Sequence, residues 1–193
     1  MNPRIIFQRA PTYEQQLKKI KDYVMPDNSI YEKHIADLKA EWEKWGPKIF
    51  DELARITKLD WEEKDIRCYV VSGTFSSFSH PLTLKIYDTT EKMLNVFTHE
   101  LIHRLLNSPT HPERVKQARK ELIEKYKDEQ ITTKNHIVLY AIHSKLMLTL
   151  FGAEKMEKEM ASIKKPEFIR AWQIVNEYGQ EKILNDIFGT NQV

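Results

Sequence analysis

A long and mostly apolar stretch in the second half of the chain constrains the fold more than any other feature. It runs from about Thr132 to Phe151 and contains the most apolar segment of the sequence, Ile137–Phe151. The polar residues His143-Ser144-Lys145 interrupt this segment, and it is shorter than the ~20 apolar residues that a membrane-spanning helix needs. A helix that is apolar around most of its circumference must be covered by protein. The sequence therefore predicts a buried helix here.

The overall composition narrows the class of protein. Hydrophobic residues make up 41% and charged residues 30% of the 193 residues, which is typical of a globular domain. The net charge of +2 is too small to indicate a nucleic-acid surface. The single cysteine, Cys68, excludes an intrachain disulfide and a cysteine-rich zinc site. Met1–Pro11 has no apolar segment of the kind found in secretory signals. We therefore expect a cytoplasmic protein without nucleic-acid or membrane partners.

Two short β-rich runs interrupt a pattern that is otherwise helical. Ile66–Val71 and Leu82–Tyr87 are rich in β-forming residues, and the second alternates with a period of two. We predict that they pair antiparallel. Helices are predicted at Thr12–Val24, Ile30–Leu59 (one helix, or two interrupted near Trp45-Gly46-Pro47), Thr89 or Thr90 to Leu106, His111–Asp128, Thr132 or Thr133 to Phe151, Glu154–Ile163, Pro166–Tyr178 and Gln180–Phe188. This order predicts an α+β fold, mostly helical, with a small antiparallel sheet.

The helix that follows the β-rich runs contains a potential metal site. His99-Glu100-Leu101-Ile102-His103 has the spacing H-E-x-x-H. Residues four apart lie on the same helix face, so His99 and His103 can direct two imidazoles at one point. Glu100 lies next to the first imidazole and can hold a water near a metal ion placed there. Two neutral nitrogen ligands, a carboxylate base and an open coordination position are what a zinc hydrolase needs.

At this motif the chain resembles the zincin metallopeptidases, whose H-E-x-x-H helix lies below a substrate-binding edge strand. The resemblance covers about Ile66 to Phe151, and only the five-residue motif is specific. It implies a zincin-like catalytic core at residues 61–151, flanked by a helical N-terminal segment at 1–60 and by C-terminal helices at 152–193. We expect these segments to form one compact domain. The zincin pattern has an uncharged residue after the second histidine, where this chain has Arg104.

A catalytic zinc site normally has a third protein ligand. The metzincin continuation H-E-x-x-H-x-x-G-x-x-H is absent, because no glycine follows at the required position and His111 lies two residues too far along. In gluzincins the third ligand is a glutamate on a second helix, often within an Asn-Glu pair. Glu121 and Glu124 are within reach in the sequence, but they lie in the most charged helix of the chain. We expect that helix to be exposed to solvent.

The buried helix offers a better third ligand. Spacings of four and seven residues place His136, Tyr140 and His143 on one face of it, where buried polar groups need partners. The Asn135-His136 pair also resembles the gluzincin Asn-Glu pair with histidine in place of glutamate. His136 and His143 are ~10 Å apart along the helix, so they cannot both bind one ion. We favour His136 over His143, Glu121 or Glu124; the other interpretation is a core histidine bonded to a backbone carbonyl.

These residues predict a zinc-dependent metallopeptidase that hydrolyses a peptide or protein substrate. Zinc would lower the pKa of a bound water, and Glu100 would accept its proton. Tyr140 or His143 would stabilise the oxyanion, as a remote Tyr or His does in zincins, and the strand at Leu82–Tyr87 would pair with an extended substrate. Two alternatives stay open: a catalytically inactive zinc-binding module that acts in protein interaction or regulation, and a helical scaffold in which the histidines are incidental.

Overall fold

The computed structural model describes residues 2–17, 26–72 and 76–189. Within them the helices are α1 (Pro11–Leu17), α2 (Asn28–Thr57), α3 (Thr90–Leu106), α4 (Glu113–Lys125), α5 (Ile131–Phe151), α6 (Ala153–Ala161), α7 (Pro166–Tyr178) and α8 (Gln180–Phe188). The strands are β1 (Arg4–Arg9), β2 (Asp65–Val71), β3 (Phe78–Ser79) and β4 (Leu82–Lys85). The predicted α+β, mostly helical fold class is confirmed.

A local capping signal accounts for the start of α3. The side chain of Thr89 accepts a hydrogen bond from the Lys92 amide at 3.1 Å, and this N-cap begins α3 where the sequence predicted it. Helix α2 is one continuous helix, although Pro47 lies inside it. The last part of the predicted helix Thr12–Val24 lies outside the described residues. Among those residues no helix is both long enough and apolar enough to cross a membrane.

The sheet is mixed, with strand order β1-β2-β4-β3. Strands β1, β2 and β4 are parallel neighbours, and only β3 runs antiparallel, beside β4. The predicted antiparallel pairing of the β2 and β4 segments is therefore wrong. The reason is that the short strand β3 brings the chain back before it turns at His80-Pro81 and enters the sheet again as β4. Neither β1 nor β3 was predicted from the sequence.

The expected substrate-binding edge is also wrong, because β4 is an interior strand. Its Leu82 and Thr83 pair with β3 on one side, and Thr83 and Lys85 pair with β2 on the other. Ser77 directly precedes β3, and its hydroxyl accepts a hydrogen bond from the Lys85 amide at 3.0 Å. The main chain of β4 therefore already has partners where an extended peptide was expected to bind.

The chain divides into two compact units. The first comprises Met1–Pro47 and Trp61–Asn107 and contains the sheet and α3. Its core includes an aromatic cluster in which Phe97 of α3 lies 5.0 Å, between ring centroids, from both Phe7 of β1 and Trp42 of α2. Helix α3 packs against β3 and β4. This packing positions the helix that carries the H-E-x-x-H motif.

The second unit comprises Lys48–Asp60 and Ser108–Val193, and α5 is its central helix. Helices α4, α6, α7 and α8 all contact α5. Ile137, Leu139 and Ile142 are completely buried, which confirms the predicted buried helix. The predicted segments at 1–60, 61–151 and 152–193 follow a different division of the chain and stay a prediction.

Candidate metal centre

The H-E-x-x-H motif occupies the middle and the end of α3. The apolar side chains Phe97, Leu101 and Ile102 are completely buried and hold the helix in place. His99 and His103 are half-buried, and the centroids of their rings lie 5.0 Å apart with an interplanar angle of 76°. The two imidazoles therefore lie side by side on one face of the helix, as the spacing predicted.

Glu100 is a buried carboxylic acid that follows His99 directly in the chain. Its exposure is 7%, and burial raises its pKa from the ordinary value of 4.5 to about 7. On β2, the thiol of Cys68 is completely buried, and burial together with the nearby Glu100 charge raises its pKa. Glu100 can thus gain and lose a proton near neutral pH, whereas Cys68 stays a neutral thiol. This is the protonation behaviour that a general base requires.

His136 lies in the first part of α5 and is buried. Its Nδ1 is 2.7 Å from the Thr132 carbonyl oxygen, which can only accept, so Nδ1 carries the proton and Nε2 has the lone pair for a metal ion. Burial lowers the pKa of His136, against the opposing effect of the Thr132 hydrogen bond, and keeps the ring neutral. A neutral imidazole with its second nitrogen bound to a carbonyl is the usual state of a metal-ligating histidine.

The three predicted ligands are brought together. One side-chain nitrogen from each of His99, His103 and His136 lies within 4.8 Å of the other two. Nitrogen ligands of a tetrahedral zinc ion stand about 3.4 Å apart, from Zn–N bonds of about 2.1 Å. The limit of 4.8 Å is therefore longer than the separation of about 3.4 Å that a bound zinc ion would require. Three nitrogen donors match the protein ligands of a catalytic zinc site, and the assignment of these residues as ligands stays a prediction.

The other candidate ligands lie outside this cluster. His143 is buried at 2% exposure on α5, but among the described residues it is not one of the side chains grouped closely enough to share a metal ion. Glu121 and Glu124 are exposed on α4 and do not belong to that group either, and Glu121 accepts a hydrogen bond from the Gln117 side chain. The role of His143 in oxyanion stabilisation stays a prediction.

Two aromatic side chains flank His136. The ring centroid of Phe168 lies 4.5 Å from that of His136 with an interplanar angle of 36°, and the centroid of Tyr140 lies 5.6 Å from it. Burial is the main cause that raises the pKa of Tyr140, so its hydroxyl keeps its proton at neutral pH. Phe168 was missed because it lies in the first turn of α7, more than thirty residues after His136. No local spacing in the sequence connects the two.

Comparisons with known proteins add no relative to this description. No family model, curated protein or solved structure was found to match the chain. The chemistry of the site is therefore inferred from its own residues and geometry.

The buried carboxyl of Glu100 predicts a dependence of stability on pH in the metal-free protein. The folded protein binds the Glu100 proton more tightly than the unfolded chain does, so stability is lost as the pH rises from 4.5 through about 7. This interval corresponds to at most about 3.5 kcal/mol at 1.4 kcal/mol per pK unit. Glu100→Gln removes the titrating group and should stabilise the metal-free protein at alkaline pH.

Denaturant unfolding in a chelator, at about pH 5 and about pH 8, measures this effect. The free energy of unfolding of the variant should exceed that of the wild type by more at the higher pH. A difference that is the same at both pH values would contradict the raised pKa of Glu100.

Proposed function

We propose that this protein is a zincin-like, zinc-dependent metallopeptidase, a hydrolase that cleaves peptide bonds in a peptide or protein substrate. His99, His103 and His136 bind the zinc ion, and Glu100 is the general base. The observation that carries the proposal is the close approach of the three histidine nitrogens beside a buried glutamate that titrates near neutral pH. A cytoplasmic location is part of the same proposal.

The chemistry divides between the metal ion and the side chains. Zinc, when bound, lowers the pKa of a water molecule and polarises a carbonyl group. Glu100 accepts a proton from the attacking water and passes it to the leaving amine, for which a pKa near neutrality is well suited. Tyr140 keeps its hydroxyl proton, so it can donate a hydrogen bond to the oxyanion that develops. His143 is the second candidate for that donor.

A reconstitution experiment tests the proposal. The purified chain is analysed for metal content and assayed on a mixture of unstructured peptides, with cleavage detected by mass spectrometry. We expect stoichiometric zinc, hydrolysis that stops when a chelator removes the metal, and activity that returns when zinc is added. A chain that takes up no zinc would contradict the metal site. Stoichiometric zinc without cleavage of any peptide would favour the inactive zinc-binding module instead.

A further inference from the structure

Arg104, directly after the second histidine of the motif, makes an unusual set of contacts. Its guanidinium donates hydrogen bonds to both carboxylate oxygens of Glu63, from Nε at 2.6 Å and from Nη2. Its Nη1 donates to the Ser79 carbonyl oxygen at 2.9 Å. The side chain of Arg104 is only 17% exposed. One side chain on α3 is therefore bonded to the segment that precedes β2 and to the main chain of β3.

We propose that Arg104 is a positioning residue, which fixes the last turn of α3 and thereby the ring of His103 in the metal centre. This proposal rests on the proposed function, since it concerns the ligand geometry of the same site. It also assigns a role to the charged residue that follows the second histidine, where the zincin pattern has an uncharged one. A charged residue is tolerated after the second histidine because Glu63 neutralises it.

The need for such a restraint follows from the place of His103 in its helix. Helix α3 ends at Leu106, so His103 lies in the last turn. The final carbonyl groups of a helix have no partner within the helix, and its ends open more easily than its middle. His99 lies a full turn further inside. The Asn107 amide donates to the His103 and Arg104 carbonyl oxygens, and Leu105 and Leu106 are buried, so the backbone and the apolar side of this turn are already supported. Arg104 adds directed hydrogen bonds from this turn to groups outside the helix, and these fix its rotation.

The geometry of the contacts explains why arginine is used. Three directed hydrogen bonds from a planar guanidinium to the Glu63 carboxylate and the Ser79 carbonyl fix both the distance and the rotation of the helix end. A lysine ammonium is a point charge on a flexible stem and reproduces the attraction to Glu63 but not the fixed fork. Lysine at this position should therefore preserve part of the effect, and an uncharged side chain should preserve none.

The chain contains a matched control pair. Arg4 of β1 donates to both carboxylate oxygens of Asp65 on β2, at 2.8 Å and 3.2 Å. The geometry resembles that of Arg104 with Glu63, but Arg4 is 73% exposed where Arg104 is 17% exposed, Asp65 is 49% exposed, and neither residue lies on α3. Loss of a surface ion pair that only joins two strands is expected to have little effect. Arg4→Met therefore separates general stability from ligand positioning.

The experiment compares the wild type with Arg104→Met, Arg104→Lys and Arg4→Met. Zinc affinity is measured by competition with a chromophoric chelator, and the visible absorption of the cobalt-substituted protein reports ligand geometry. We expect Arg104→Met to lower the zinc affinity about 10-fold to 100-fold and to shift the cobalt absorption, as other supports of metal ligands do. Arg104→Lys should lie between Arg104→Met and the wild type, and Arg4→Met should match the wild type.

Wild-type affinity and an unchanged cobalt spectrum in Arg104→Met would overturn the proposal, and so would equal losses in Arg104→Met and Arg4→Met. If Arg104→Met does not fold, Glu63→Gln replaces it, because glutamine keeps the shape of Glu63 and removes its charge. Glu63→Gln should then lower the zinc affinity and shift the cobalt absorption in the same direction as Arg104→Met, but by less. A Glu63→Gln variant with wild-type affinity and a wild-type spectrum would overturn the proposal. Absence of zinc from the wild type, by contrast, contradicts the proposed function itself.

Discussion

Glu100→Gln should abolish peptide hydrolysis and leave zinc bound. Glutamine has nearly the same shape as glutamate, but it cannot accept a proton at neutral pH, so the water is no longer activated. General acid–base catalysis contributes about 10²-fold to 10⁴-fold to a rate, and we expect a fall in kcat of at least the lower figure. Steady-state kinetics on the best peptide substrate, together with metal analysis of the same sample, measures both parts of the prediction.

Glu91→Gln is the matched control, because it makes the same chemical change at an exposed position in the first turn of α3. It should leave hydrolysis at the wild-type level. Full activity in Glu100→Gln would show that Glu100 is not the base. Loss of zinc together with loss of activity would indicate that Glu100 supports the metal site rather than the proton transfer.

The same substitution should have opposite effects on stability and on activity. The buried carboxylate costs free energy in the metal-free protein, and this is the cost that Glu100→Gln removes. A residue that lowers stability and is needed for function is typical of an active site. A scaffold in which the histidines are incidental gives no reason to keep an acid at 7% exposure beside them.

His136→Ala should remove zinc from the protein under conditions in which the wild type stays fully loaded. Structural zinc sites with four protein ligands have binding free energies of about 10–16 kcal/mol, or roughly 2.5–4 kcal/mol per ligand, so the loss of one ligand should lower the affinity by on the order of 10²-fold to 10³-fold. Cavity formation alone does not produce this result, because it destabilises the fold without selective loss of metal. Chelator competition and metal analysis provide the measurement.

His143→Ala is the control for this experiment, because His143 is a second buried histidine on α5, two turns further along. It should keep its zinc, even if its hydrolysis rate falls. The opposite result, zinc lost in His143→Ala and retained in His136→Ala, would show that the wrong histidine of α5 was assigned as the ligand.

Some features were predictable because they depend on residues close together in the chain. Thr89 and the helical spacing after it place α3, and the four-residue interval places His99 beside His103. The apolar character of α5 predicts its burial, since such a surface is stable only when other helices cover it.

Other features depend on partners that are distant in the chain. The parallel pairing of β2 with β4 depends on β3, whose two residues are too short to give a sequence pattern. The contacts of Arg104 with Glu63 and of His136 with Phe168 span 41 and 32 residues, and no periodicity extends that far. Local sequence therefore predicts where α3 and α5 form and which faces carry the histidines. Which long-range groups surround those faces follows only from packing, because burial and hydrogen bonding are properties of the folded chain as a whole.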